Sequence, residues 1–502
     1  MWWIVLALLL FVAIFILSLY CPIQTFPYYQ SIPLVLSAWI PLSIIVLVPA
    51  DLVQGGLGID ERMRLMLWRF IYWTSFLLTW LVLPSLEYYV ESGHHDPLMR
   101  VKDAIRTNLR QQLILACAGV VGLLYMGASS GLTLSNLKAL AVALSHSYAL
   151  LICIWLLGHG LVAVPRAFWN SVPSTQLRTL YGRAQYTLDN YSDAMSNYYD
   201  AAARVIALIS IKTPEYGDWI DDLVEQVRSS SLGYPTNSRH QISEPLTSEL
   251  LASLSKRLVR ERARAIRYRA EWIRLLEDCA FYQDVTAGAT DFRFFQPRFP
   301  PRFYTRVLPW LLRIAAVVLG LGTAVLVQSE LLLGTRFSLV DIMVRSSGGL
   351  LQVIVTMTLL GYMCFVTGKA LSSVRIFNLY ALVYRHTDAS SMFFYATYSC
   401  RLAVPLSYNF LMMSAKHNHS VFQEFLGQFI NLTMLGKYFN QILPRLVIVF
   451  MALSWFEVYK KVQDYFGFLG DDDIEGGDNG ETLVDRALTD TRFEWGLERV
   501  RD

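Results

Sequence analysis

Apolar runs long enough to cross a bilayer recur along most of the chain, at about Trp2–Tyr20, Ile32–Pro49, Met66–Tyr88, Gln111–Leu134, Ala139–Trp169, Val307–Leu333, Leu339–Thr367, Ser391–Met413 and Tyr438–Tyr459. A hydrocarbon layer roughly 30 Å thick offers a backbone no water, so each run must satisfy its own amides as a helix. The short alternating segments of a membrane barrel are missing from the sequence. Composition points the same way: 54% of residues are hydrophobic and 17% charged, with a mean hydropathy of +0.38, where soluble proteins carry about 25% charged residues. The expected fold is all-α, a polytopic membrane protein with nine transmembrane helices.

One long polar stretch interrupts this series. The chain therefore divides into a membrane domain over residues 1–169, a polar insertion over 170–306, a second membrane part over 307–459 and an acidic tail over 460–502. The first twenty residues lack a basic leader and a small-residue cleavage site, so they read as a retained span. With the N-terminus outside, the loop carrying Arg100, Lys102, Arg106 and Arg110 falls inside, as do the polar insertion and the tail beginning Lys460-Lys461. The opposite orientation translocates nearly all of that charge, against the positive-inside bias. The expected arrangement is N-terminus outside and C-terminus cytosolic, in a plasma or endolysosomal membrane. The sequons at Asn418 and Asn431 then lie outside, as candidate glycosylation sites.

The insertion is itself patterned. From Leu177 to Ile209 apolar or small residues alternate steps of four and three through Tyr181, Ala184, Leu188, Tyr191, Met195, Tyr198, Ala202 and Val205. A second seam runs from Leu251 through Leu258, Ala265, Tyr268, Trp272, Leu275 and Cys279 to Tyr282, with Glu261 as its one charged member. Such seams bring two helices together. Since one helix leaves the membrane and the other returns to it, the expectation is an antiparallel coiled-coil hairpin about 50 Å long, standing away from the bilayer. The returning helix is rich in arginine, and Arg257, Arg260, Arg264 and Arg267 form a candidate partner-binding basic face turned outward.

Enzyme chemistry finds no foothold. The sequence has no phosphate-cradling glycine loop, no HExxH and no nucleophile elbow, and its six cysteines and eight histidines lack metal-ligand spacing. A non-enzymatic protein is expected, with neither cofactor nor metal, and nucleic acid is excluded as a partner by the absence of a recognition fold. Polar residues within the spans are the other candidates. Arg401 sits mid-span, where a charge costs at least about 2.5 kcal/mol, and Pro405 removes the helical bond to its carbonyl. Together with Asn409, Arg345 and Arg445 these residues mark a candidate intramembrane lipid or ligand site, for which no acid at mid-depth offers neutralisation.

Four stretches resemble a known family: LWRFIYWTSFLLTWLVLPSLEYYVESG from Leu67, LGHGLVAVPRAFWN from Leu157, LLEDCAFYQDV from Leu275 and VRIFNLYALVYRHTDASSMFFYATYSCRLAVPLSYNFL from Val374. They are similar in order and topological place to the limb-region-1 family, which includes lipocalin-interacting membrane receptors, with the limb-region-1 domain-containing protein 2 group as the nearest likeness. The family's paired prolines after the mid-membrane arginine are here the single Pro405. The resemblance implies nine spans, a large cytosolic loop after the fifth, and a role as a receptor or regulator, for this group in a G-protein-coupled receptor pathway. Two functions follow: a membrane scaffold whose hairpin binds a cytosolic or receptor protein, or a transporter or lipid- or sterol-binding protein with a cavity near Arg401.

Overall fold

In the computed structural model, residues 2–53, 58–129, 133–233, 245–289, 291–294, 296–333, 335, 337–374, 380–414, 420–430, 442–458 and 477–489 are described. Among them the regular structure is helical. Helices α1 (Trp2–Tyr20), α2 (Tyr28–Leu52), α3 (Glu61–Glu91), α4 (Pro97–Ser129) and α5 (Leu134–Trp169) precede the polar insertion. The insertion holds α6 (Pro173–Ala207), α7 (Gly217–Arg228) and α8 (Ser248–Ala287). Then come α9 (Phe303–Leu331), α10 (Leu339–Ser346), α11 (Leu350–Ser373), α12 (Ala389–Ser414), α13 (Val421–Ile430), α14 (Leu443–Trp455) and α15 (Gly477–Thr489). By length and apolarity, five described helices can cross a membrane: α2, α3, α9, α11 and the part of α5 from Leu140.

The membrane core forms around α5, whose Cys153, Ile154, Leu157 and Leu161 are buried against α9, α11, α12 and α14. Apolar residues on the outer sides stay exposed, such as Phe11, Phe70, Leu321 and Leu350, as lipid-facing surfaces require. One expected span is divided. Over Leu339–Thr367 the structure breaks at Ser347–Gly349, where Gly349 takes φ +58°. Consecutive Ser and Gly residues favour turn conformations over helix, so α10 is an eight-residue helix capped by Ser338 and α11 starts afresh.

In the polar insertion, α6 and α8 run antiparallel along each other. Tyr198, Ala202 and Val205 pack with Leu251, Leu258 and Ala265 at one end, and Tyr181 and Ala184 with Trp272, Leu276 and Cys279 at the other. The amphipathic α7 closes the first of these ends with Ile220, Leu223 and Val227. The second end is filled by α15, whose Val484 is fully buried. Gly480 makes that docking feasible, because a Cβ there would lie 2.1 Å from the Tyr181 carbonyl. Part of the acidic tail is thus a packed helix.

The pair does not stand away from the membrane domain. Helix α8 lies along the end of that domain from Ala252, against Gly93, to Arg274, whose guanidinium is 5.5 Å from the Tyr384 ring. That contact length is about 33 Å at 1.5 Å per residue. A Cβ at Gly93 would fall 1.9 Å from the Ala252 carbonyl, so only glycine admits the helix this closely. At the other side, His95 Nε2 is 3.0 Å from Asp222 of α7.

Candidate functional site

Proline creates the Arg401 site. Between Leu78 and Val82, α3 widens by one π-helical turn, in which Leu83 donates to the Leu78 carbonyl. In that register the donor for the Thr79 carbonyl is position 84, which is also the α-helical donor for Trp80, and Pro84 has no N–H. The Thr79 and Trp80 carbonyls accept from side chains of neighbouring helices. Arg401 Nη2 donates to the first at 2.8 Å. Gln112 and Asn108 donate to the second at 3.0 and 3.3 Å.

Aromatic faces complete the arginine's surroundings. The guanidinium carbon lies 5.0 Å from the Trp80 ring and 5.4 Å from those of Tyr148 and Tyr398, within the range of cation–π attraction. Arg401 and Pro405 line a space of about 30 Å³ with Thr79, Trp80, Ser145 and His146. That is room for one water rather than a lipid. The Nε of Arg401 and both imidazole nitrogens of His146 lack protein partners among the described residues, which is the chemistry that retains a buried water.

The structure does not bring the other intramembrane candidates to this space. Arg345 pairs with Asp341 one turn earlier on the short α10. Arg445 is exposed in the first turn of α14. Asn409, 2% exposed, donates through Nδ2 to Glu330, which is fully buried. Buried acidic side chains therefore occur at the ends of the helices, Glu330 next to the last residue of α9 and Asp341 in the first turn of α10, rather than at the depth of Arg401. A further one, Asp51, accepts from Ser420 Oγ at 2.6 Å and the Phe422 amide at 3.1 Å, and so caps α13 from the end of α2. Asn418 and Asn431 lie outside the described residues.

The second polar constellation joins α8 to the membrane domain. Glu91 accepts from Ser390 Oγ at 2.7 Å, Tyr380 Oη at 3.3 Å and Arg260 at 3.3 Å. Asp388, which caps α12 through the Ser391 amide at 2.9 Å, lies 3.7 Å from Arg267. The Arg267 side chain is only 3% exposed. Beside them, burial and the nearby Arg385 and Arg269 lower the pKa of His386.

These pairs enclose a cavity of about 680 Å³. Its α8 wall includes Lys256, Val259, Arg260, Ala263, Arg264 and Arg267, spaced i, i+3, i+4, i+7, i+8 and i+11. That spacing is one continuous helical stripe. Arg260, Arg264 and Arg267, expected to face outward, are turned toward the membrane domain, and of the four candidates Arg257 alone is not in this lining. The reason is that Glu91 and Asp388 offer carboxylates there while the apolar seam occupies the adjacent face. On the side of α6 turned away from the seam with α8, the exposed residues Asp189, Asp193 and Asp200 are acidic.

Comparison with known proteins accounts for this combination of membrane helices and polar insertion. A family profile described as LMBR1-like membrane protein matches residues 1–459. The chain is 27% identical over 470 residues to "LMBR1 domain-containing protein 2 homolog A" of Dictyostelium discoideum, covering 86% of this chain and 63% of that protein. It is 26% identical over 503 residues to the human "G-protein coupled receptor-associated protein LMBRD2", covering 87% and 70%. A Gallus gallus protein of the same description is 27% identical over 494 residues, covering 87% and 71%. No solved structure matches the chain. With the profile spanning all but the tail, this chain belongs to the LMBR1-like membrane protein family.

Proposed function

We propose that this protein is a non-enzymatic, multi-pass membrane scaffold that associates with a receptor, with its N-terminus outside, its C-terminus cytosolic and nine spans in all. The paired helices α6 and α8 act as the coiled-coil docking element. The name of the human and chicken relatives, which speaks of association with a G-protein coupled receptor, supports the receptor as partner. The observation that carries the reading is the ion-paired seating of α8 on the membrane domain through Glu91–Arg260 and Asp388–Arg267. A partner held on the opposite side of the pair is thereby kept at the membrane face.

The chemistry of that opposite side selects the partner. Its exposed carboxylates at Asp189, Asp193 and Asp200 suit a basic cytosolic segment, and complementary charge governs encounter and register. Co-purification of candidate receptors with the full chain tests this. Reversing all three aspartates to lysine is expected to abolish recovery, while Arg257→Glu leaves it intact. Unchanged recovery with the triple reversal overturns the docking surface.

A further inference from the structure

We propose that the cavity between α8 and the membrane domain is a binding site for an anionic phospholipid, with its phosphate-bearing headgroup on the basic stripe of α8. The proposal needs no receptor partner and stands apart from the function above. Its volume of about 680 Å³ lies within the usual range of small-ligand sites, about 300–1,000 Å³.

Charge sets the class of ligand. Five cationic side chains line the cavity, Lys256, Arg260, Arg262, Arg264 and Arg267, against the three carboxylates of Glu91, Glu261 and Asp388. Two of the arginines are committed, Arg260 to Glu91 and Arg267 to Asp388. Lys256 and Arg262 make no ion pair among the described residues, and Arg264 stacks on Tyr268 with its Nε buried and unbonded. The surplus is positive and sits on donors that suit phosphate oxygens.

Position supplies the second half of the argument. Phe26 follows α1, Glu91 ends α3 and Ala389 begins α12, so the cavity lies at the level where the membrane helices terminate. That is the depth of lipid headgroups. Phe26 and Val90 on the membrane-domain side, with Val259 and Ala263 set between the cations of α8, give the same cavity apolar surface, against which the upper acyl chain can lie. A soluble phosphate uses the cations alone; an amphiphile uses the cations and this apolar surface.

The full chain, purified and reconstituted in nanodiscs of phosphatidylcholine with added phosphatidylinositol 4-phosphate or phosphatidylserine, tests this by native mass spectrometry of the lipids retained on release. Anionic lipid is expected to be retained over phosphatidylcholine. The pair Lys256→Gln, Arg262→Gln is expected to weaken retention about tenfold or more, since each surface cation adds substantially to anionic-lipid attraction. Val259→Trp, which keeps every charge but fills the space, is expected to weaken it as well. Equal retention of phosphatidylcholine overturns the proposal. So does full retention by Val259→Trp, which would assign the effect to general surface charge. Competition by glycerophosphoinositol phosphate as strong as by the intact lipid overturns the lipid as source. A melting curve for each variant, matching wild type, establishes that the fold is retained; a shifted curve transfers the test to Val259→Phe.

Discussion

Arg401 donates to the carbonyl of Thr79, and that carbonyl is free because the residue five positions on is Pro84. An arginine on one helix thus replaces an amide missing from another. Arg401→Leu removes the donor from a buried carbonyl and is expected to cost about 1–3 kcal/mol. In a Pro84→Ala background, where the N–H returns, the loss should shrink. Thermal unfolding of the four proteins in one detergent measures the difference; an equal loss in both backgrounds refutes the account.

Arg267 and Lys256 share the α8 stripe but differ in burial. Removing Arg267 exposes Asp388 to a partly buried site without its cation, so Arg267→Met is expected to destabilise the seating of α8 by about 3 kcal/mol. Lys256→Gln, on a half-buried residue without an ion pair, should stay within about 0.5 kcal/mol. Hydrogen exchange over α8 distinguishes them, and equal protection in both variants contradicts the assignment.

His386 gives the junction a pH dependence of definite sign. Its folded pKa is lowered, chiefly by burial and then by Arg385 and Arg269, so the unfolded chain takes up the proton first. The stabilisation is full above the unfolded value of 6.5 and is lost as pH falls below it. Protection of residues 380–390 should therefore decrease between about pH 7.5 and about pH 5. His386→Gln should flatten the change, and an unaltered slope in that variant shows that another group is responsible.

Gly480 is the contact point of α15 with α6. Gly480→Val forces a side chain onto the Tyr181 carbonyl and should release the helix at a cost of about 1–3 kcal/mol. Gln283, which donates to Asp485 at 2.9 Å and Tyr181 Oη at 2.7 Å, loses one of its partners on release. Limited proteolysis near residue 477 reports it; a cleavage rate like that of wild type excludes the docking as drawn.

Periodicity made the helices legible because lipid and seam each demand an unbroken apolar face. The α6–α8 pairing follows from steps of three and four alone, and Tyr198 and Leu258 are buried in one cluster along it. What lay beyond the sequence depends on pairing across distance. Glu91 and Arg260 are 169 positions apart, and no local pattern links them. A second stripe on α8, small and basic at Lys256, Ala263 and Arg267, was visible in principle once two faces of one helix were sought. The break after α10 had a local signal too, in Ser346-Ser347-Gly348-Gly349, which continuous hydropathy masks. The Arg401 contact needed both Pro84 and the π-helical turn, and the turn itself arises only from packing.

Helix α15 also imposes an order in time. Trp272, Leu275 and Cys279 are roofed by residues made about 200 positions later, a delay of about 10–40 s at ordinary rates of synthesis. Throughout that interval the membrane end of the helical pair presents an open apolar slot to the surroundings of the ribosome. Maturation of this helical pair therefore closes with the docking of α15, and a chain terminated before Gly477 carries that slot permanently.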